Sequence, residues 1–162
     1  YDERHPWFWC DIETTGLDPY SSLILEIAVK VTDCDLNVLD SIHLVLYYPL
    51  HILVSRSSSW CKRAFASLAF GGNGLFDQCS QSSITFHEAE HRLAEFFGRH
   101  TSQMDGATVQ NVSSMLEMAR RWRPDLTPRL PPTANRHRAC IDIDESIALM
   151  RFFKAELFTG MA

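Results

Sequence analysis

The sequence predicts a mixed α/β domain in which a β-sheet is covered by helices. Three β-rich segments come first in the chain, helical segments follow them, and no internal repeat or interdomain linker separates the two parts. Strands followed by helices are typical of a domain that packs helices against a sheet. The chain has 162 residues, of which 46% are hydrophobic, so it can bury one sizeable core. We therefore expect a single domain over residues 1–162.

Three strands are predicted in the first third of the chain. An opening strand starts at Trp7, a second covers residues 23–33, and a third covers residues 38–47. Short polar connections join them at residues 18–22 and 35–37. Consecutive β-rich runs with short turns between them indicate an antiparallel meander.

Two short features follow the third strand. Residues 60–65 could form a short helix, whereas residues 49–59 fit no clear pattern. Residues 71–74 have the sequence Gly-Gly-Asn-Gly, which predicts a turn. This turn is not a phosphate-binding loop, because no Gly-Lys-Ser or Gly-Lys-Thr follows it.

Three longer helices are predicted in the rest of the chain. The first starts near Thr85, which would form a capping box with Glu88. The second covers residues 112–122 and ends before a proline-rich loop at residues 123–135. The third covers residues 142–158. Its core face is expected to contain Ile143, Ile147, Met150 and either Phe153 or Phe158.

Charge and cysteine content narrow the class of protein. The formal net charge is −5, so no basic field indicates nucleic acid, although metal ions in an acidic site could supply positive charge. The five cysteines lack zinc-ligand spacing, and we expect free thiols in a reducing compartment, the cytoplasm or the mitochondrial matrix.

No apolar run reaches membrane-spanning length and no secretory signal is recognisable, so no membrane partner is expected. Because the chain starts at Tyr1, a leader, tag or presequence could precede it.

The opening strand ends in two carboxylates, Asp11 and Glu13, which are followed by two threonines and Gly16. Residues two apart in a strand point to the same face, so both side chains would project together. Two such carboxylates repel each other unless a cation lies between them. Oxygen ligands suit a hard ion, Mg²⁺ or Mn²⁺. The alternative is that the same residues only form a polar turn after the strand.

A second polar pair lies near the start of the last predicted helix. His137 is in the preceding loop and Asp142 is at the helix start. Taken alone, Asp142 could be a helix cap or interact with the helix dipole, and His137 could be a solvated loop residue. Combined with Asp11 and Glu13, however, Asp142 would complete an oxygen cage for a divalent ion. His137 beside this cage could then take a proton from water.

The combination of Asp-Ile-Glu-Thr-Thr-Gly at residues 11–16 and His-x4-Asp at residues 137–142 is more specific than either half. It resembles the DEDDh exonucleases, metal-dependent 3′-to-5′ nucleases with a ribonuclease-H-like fold, and among them the oligoribonuclease branch. The resemblance extends over residues 9–19, 25–28, 31–37, 60, 74–75, 83–85, 88–90, 111–114, 119–122 and 137–147. It implies a ribonuclease-H-like mixed β-sheet flanked by helices.

The resemblance also implies how the reaction is catalysed. Asp11, Glu13 and Asp142 would be the metal ligands, with two ions of Mg²⁺ or Mn²⁺ per active site. His137 would be the general base.

Three further residues match substrate-binding positions of the family. Leu17 and Trp60 would contact the bases of a dinucleotide, and an indole face supports such stacking without sequence preference. Ser113 would contact the far phosphate. Without the resemblance, Trp60 could equally be a core residue, and Ser113 a helix N-cap.

One part of the family pattern is missing. The family has a fourth carboxylate in a middle segment, with a Gly-Asn-Ser strand end and a Phe-Asp pair, whereas only fourteen residues separate Phe97 from Val112 here. Asp105 falls in this interval, but its neighbours do not match, and Ala107 and Thr108 stand where a Tyr and an Arg usually occur. Either a stretch of residues is omitted from the sequence here, or a true deletion leaves a site with three carboxylates. In ribonuclease-H-like sheets the missing strand lies beside the first, so a deletion would leave that strand edge unpaired.

Functions from different classes fit these observations. The first is an exoribonuclease that trims short single-stranded RNA from the 3′ end and forms a homodimer. The second is a catalytically degenerate subunit with a structural or RNA-binding role in a ribonucleoprotein assembly, which the missing middle segment favours. DNA proofreading uses the same core, but Trp60 and residues 119–122 match the RNA branch. We expect the exoribonuclease, because the three metal ligands and the base are retained.

Overall fold

The computed structural model describes residues 6–100, 111–134 and 136–158. The chain begins with three strands, β1 (Trp7–Thr14), β2 (Ile24–Thr32) and β3 (Val38–Val45). They pair antiparallel in the order β1-β2-β3. The predicted antiparallel meander is therefore confirmed.

Helices make up most of the remaining described chain. The α-helices are α1 (Leu50–Arg56), α2 (Ser59–Ala64), α3 (Leu75–Gln81), α4 (Phe86–His100), α5 (Val112–Trp122) and α6 (Ala139–Phe153). A 3₁₀ turn, Leu68–Phe70, follows α2, another, Pro124–Arg129, follows α5, and a π-helical turn, Lys154–Phe158, follows α6. None of the described helices is long and apolar enough to cross a membrane.

One face of the sheet packs against α6. Trp9 of β1 and Ala28 of β2 form a buried cluster with Ala139, Ile143 and Ile147 of that helix. Side chains alternate between the two faces of a strand, so those at even spacing from Trp9 along β1 also point toward α6. This alternation places the end of β1 against the first turn of α6.

The opposite face of the sheet packs against α4. Ile27, Val29 and Val31 of β2 form a second cluster with Ala89 and Phe96 of α4. Strand β2 is therefore covered on both faces, which explains its nearly continuous apolar sequence.

A third cluster joins the start of β2 to the short helices. Leu25 packs with Cys61 of α2 and Leu75 of α3. The backbone N–H of Ser58, just before α2, donates to the carbonyl of Thr15 at 2.8 Å. These contacts hold α2 beside the turn that follows β1.

The start of α4 differs in part from the prediction. The hydroxyl of Thr85 accepts a hydrogen bond from the backbone N–H of Glu88 at 3.2 Å, as expected for a cap. The Glu88 carboxylate instead pairs with Arg92, at 2.6 Å. Within the described residues, the predicted capping box is therefore only half formed.

The last helix starts earlier than predicted. It begins at Ala139 rather than at residue 142, because the carbonyl of Arg138 already accepts from the backbone N–H of Asp142 at 3.0 Å. Of the two candidate core residues, Phe153 is buried and Phe158 is exposed. An α-helix, α1, also forms within the segment 49–59, which had no clear pattern.

Strand β1 lies at an edge of the sheet in the described part of the chain. It pairs with β2 on one side, and the described residues contain no strand along its other side. Parallel pairing in the described residues is limited to an isolated bridge between Leu46 and Ile84. The prediction of a shortened segment around residues 98–108 falls mostly outside the described residues and stays a prediction.

Candidate active site

Three carboxylates meet where β1 and α6 come together. Asp11 and Glu13 project from β1 on the same face as Trp9, which packs against α6. Asp142 lies in the first turn of α6. One carboxylate oxygen from each of the three lies within 4.8 Å of the others. The fold thus brings together side chains that are up to 131 positions apart in sequence.

Burial and mutual repulsion raise the pKa of each of these carboxyl groups. Burial, followed by the charge of Asp142, raises the pKa of Asp11 from 3.8 to about 6. Burial and the charges of Asp11 and Asp142 raise the pKa of Glu13 from 4.5 to about 8. Burial and the charge of Glu145 raise the pKa of Asp142, while His137 acts in the opposite direction. Without a cation, the three carboxyl groups therefore resist being ionised at the same time.

The donor set fits a hard divalent cation. Three carboxylates offer only oxygen ligands, which Mg²⁺ and Mn²⁺ prefer over thiolate or imidazole ligands. A cation bound among them would relieve the repulsion that raises their pKa values. Asp11, Glu13 and Asp142 could therefore hold such an ion.

A fourth buried carboxylate lies beside this cluster in a different environment. Glu26 of β2 is fully buried, and its carboxylate accepts hydrogen bonds from the guanidinium of Arg138 at 2.8–3.1 Å. It also accepts from the backbone N–H of Ala139 at 3.0 Å and from His43 Nε2 at 2.6 Å. Burial alone would raise its pKa, but these donors outweigh burial and lower the pKa to about 2.

The Glu26 network fixes the start of α6 relative to the sheet. Arg138 and Ala139 are the N-cap and the first residue of that helix, so their bonds to Glu26 anchor the turn that carries Asp142. No role for Glu26 was predicted from the sequence. A signal was present, because a charged residue between Leu25 and Ile27 in a buried strand requires a partner.

His137 lies directly before this anchored turn. Its backbone has a positive φ of 49°, and its ring meets the indole of Trp60 edge-on, with ring centroids 4.8 Å apart. His137 and Asp142 line the same open cleft of about 190 Å³, together with Glu145 and Ser146. The predicted base and one predicted ligand therefore share one cavity.

The two residues predicted to contact bases lie on the surface. Trp60 is 48% exposed, so the alternative interpretation as a core residue is wrong. Its other edge contact is with Phe65, at 5.8 Å between ring centroids. Leu17 is fully exposed in the turn that follows β1.

Ser113 occupies a different hollow from His137. It is exposed in the first turn of α5 and lines a shallow depression with Glu117, Arg121 and Trp122. Its backbone N–H donates to the side chain of Asn111 at 2.8 Å. Asn111 is therefore the N-cap of α5, and the alternative interpretation of Ser113 as that cap is wrong.

Curated relatives cover most of this chain. No protein-family model matches it. The oligoribonuclease of Haemophilus ducreyi is 30% identical over 172 residues, which cover 90% of this chain and 91% of that protein. The mitochondrial oligoribonuclease of Homo sapiens is 31% identical over 177 residues, covering 93% of this chain and 72% of that protein. Both alignments are longer than the 162 residues of this chain, so each relative has residues without a counterpart here.

A solved structure supports the fold assignment. Exonuclease I from Methylocaldum szegediense matches with a TM-score of 0.64 at 16% sequence identity. The match covers 94% of this chain and 41% of that one, so this chain spans less than half the length of that exonuclease. The predicted ribonuclease-H-like α/β fold is confirmed. The chain is 30–31% identical to oligoribonucleases and covers 72% or more of their length. It therefore belongs to the oligoribonuclease family.

Proposed function

We propose that this protein is a divalent-metal-dependent 3′-to-5′ exoribonuclease that degrades short single-stranded RNA to mononucleotides. The observation that carries the proposal is the cluster of Asp11, Glu13 and Asp142, whose oxygens lie within 4.8 Å of one another beside the cleft that contains His137. The names of the relatives point to the same substrate class.

The carboxylate cluster is the metal site of this proposal. Asp11, Glu13 and Asp142 would hold Mg²⁺ or Mn²⁺, two ions per active site by the family resemblance. When bound, divalent ions would supply Lewis-acid stabilisation to the charge that develops on the scissile phosphate and on the leaving oxygen. The raised pKa values of Asp11 and Glu13 support this role, because a bound cation would stabilise the ionised form of both groups.

His137 is the general base. Its imidazole lies in the open cleft with Asp142, where it can accept a proton from the attacking water. The indole of Trp60 packs edge-on against the imidazole and supports the ring at the cleft.

Substrate contacts come from exposed residues around the cleft. Trp60 and Leu17 are accessible to nucleobases, and stacking on an indole tolerates any base. Ser113 contacts the far phosphate. Because Ser113 lies in a separate hollow on α5, the RNA has to extend from the cleft across the start of that helix.

We also propose a homodimer in a reducing compartment, the cytoplasm or the mitochondrial matrix. All five cysteines are free thiols, which agrees with such a compartment. Sedimentation equilibrium checks the oligomeric state directly, and a mass equal to one chain would contradict the dimer.

The test is release of mononucleotides from an end-labelled RNA dinucleotide and a longer RNA, in Mg²⁺ or Mn²⁺. We expect rapid cleavage of the dinucleotide and a loss of about 10³-fold in Asp142→Ala, because one transition-state interaction of the site is removed. Asp144→Ala is the matched control, since Asp144 lies two residues further along α6, is 58% exposed and pairs with Lys30. Equal activity of Asp142→Ala and wild type would refute the site. Preference for a DNA dinucleotide would favour proofreading instead.

A second function is favoured by one observation. The described residues bring three carboxylates together, whereas the family pattern has four. A folded wild-type protein without turnover in either metal would indicate a degenerate subunit with a structural or RNA-binding role in a ribonucleoprotein assembly. Stable co-purification with RNA or with partner proteins would then be expected.

A further inference from the structure

The side chain of Asn73 contacts the loop that carries His137. Its Nδ2 donates to the carbonyl of Arg136 at 3.0 Å and to the carbonyl of His137 at 2.7 Å. Its Oδ1 accepts from the backbone N–H of Leu75 at 3.0 Å. Both donors and the acceptor of this amide are thus engaged, and the partners define which atom is nitrogen.

Asn73 is itself held rigidly by the glycine-rich turn. Its backbone N–H donates to the carbonyl of Ala64 at 2.8 Å, and that of Gly74 donates to the carbonyl of Ala66, also at 2.8 Å. A Cβ atom at Gly72 would lie 2.2 Å from the carbonyl oxygen of Ala66, so only glycine allows the turn to approach so closely. The turn is therefore a fixed platform against the end of α2.

The backbone of His137 requires such support. A φ of 49° lies in the left-handed region, which costs a non-glycine residue about 1–2 kcal/mol. Conformations of this kind persist where the surroundings over-determine them. Here Asn73 holds the loop on one side of His137, and Glu26 holds Arg138 on the other.

We infer that Asn73 is a positioning residue for the catalytic base. It acts through the backbone of His137, fixing the carbonyl so that the ring stays against Trp60 and within the cleft. The inference deepens the proposed function and rests on it for the role of His137 as the base. The Gly-Gly-Asn-Gly sequence predicts only a turn, and the structure shows that this turn contacts the His137 loop.

Two substitutions at this position separate the amide donors from other effects. Asn73→Asp keeps the shape and the oxygen that caps Leu75 but removes both donors. Asn73→Ser replaces the two amide donors with a shorter hydroxyl and adds no charge, and this hydroxyl can still accept from the Leu75 N–H. Asn37→Ser is the matched control, because Asn37 makes a similar side-chain hydrogen bond, at 2.9 Å to Asp33, in the turn between β2 and β3.

The first readout does not depend on activity. The imidazole proton signal of His137 is identified in the NMR spectrum by its loss in His137→Ala, and its position reports the ring current of Trp60. We expect this signal to move toward the value of an exposed histidine in both Asn73 variants and to stay unchanged in Asn37→Ser. An unchanged signal in both Asn73 variants would overturn the inference.

The second readout is hydrolysis of the RNA dinucleotide. We expect kcat to fall about 10- to 100-fold in each Asn73 variant, with KM within about twofold, because a misplaced base slows the reaction without weakening substrate contacts. In the His137→Ala background the Asn73 substitutions should cause no further loss. A further loss of the same size there would show that Asn73 acts independently of His137 and would overturn the inference. Full activity of His137→Ala would instead refute the proposed base, and the NMR signal would still decide the role of Asn73.

Discussion

Glu13 and Glu26 are register partners on neighbouring strands, yet their carboxyl groups behave in opposite ways. The two residues face each other across β1 and β2. The pKa of Glu13 is raised to about 8, whereas the pKa of Glu26 is lowered to about 2. Glu26 is fully buried and Glu13 only partly, so burial alone would raise the pKa of Glu26 at least as much and does not explain the difference.

The difference lies in what the chain itself supplies to each carboxylate. Glu26 receives hydrogen bonds from His43, Arg138 and Ala139, which complete its coordination within the protein. Glu13 faces the negative charges of Asp11 and Asp142, and Arg138 offsets them only weakly. The first environment is complete and structural. The second lacks such donors, and it is the environment in which we propose that a cation binds.

The largest expected effect is the loss of stability in Glu26→Gln. Removing one partner of a buried ion pair leaves the other charge uncompensated, so we expect the free energy of unfolding to fall by about 3–5 kcal/mol. Chemical denaturation measures this. Glu88→Gln is the control, because Glu88 forms an exposed pair with Arg92, and no comparable change is expected there. A Glu26→Gln protein as stable as wild type would show that the network does not hold α6 to the sheet.

Glu13 and Glu26 should make the free energy of unfolding depend on pH in opposite directions. The ordinary pKa of Glu13 is 4.5, so between about pH 5 and pH 8 the folded state holds a proton that the unfolded state has lost, and stability falls as pH rises. The lowered pKa of Glu26 acts the other way. The stability that Glu26 contributes is complete above pH 4.5 and is lost as pH falls toward 2.

Thermal melting with and without Mg²⁺ tests the part of this dependence that Glu13 causes, between about pH 5 and pH 8. We expect the melting temperature of the metal-free protein to fall from pH 5 to pH 8, and to fall less in Glu13→Gln. Mg²⁺ should raise the melting temperature more at pH 8 than at pH 5, because ligands must be deprotonated to bind it. A melting temperature that Mg²⁺ leaves unchanged at both pH values would contradict the metal site.

The smallest expected effect is that of His43→Ala. It removes one donor from Glu26, but Arg138 and Ala139 remain, and the His43 side chain is 40% exposed, so water can enter. We expect a loss of about 1–2 kcal/mol by chemical denaturation. His51→Ala, at an exposed position in α1, is the control. A loss as large as that of Glu26→Gln would mean that His43, not Arg138, is the main partner.

Sequence alone determined the β-meander, the α5 helix at residues 112–122 and the grouping of Asp11, Glu13, His137 and Asp142. Alternating and helical periodicities are local properties, so they can be recognised without knowing what packs against them. The family pattern added the ribonuclease-H-like fold and the expected roles of these residues as metal ligands and general base.

Only the tertiary structure decided how the site is supported. The bonds of Glu26 and Asn73 to residues 136–139 join positions 63–113 apart, and no local pattern records such pairings. It also decided that α6 begins at Ala139 and that Trp60 is exposed, because both depend on which neighbours occupy the surrounding space. The pKa values of buried carboxyl groups likewise depend on which neighbours the fold supplies. Glu13 and Glu26 are the same residue type in adjoining strands, and their different partners across the fold make one a scaffold and the other a candidate ligand.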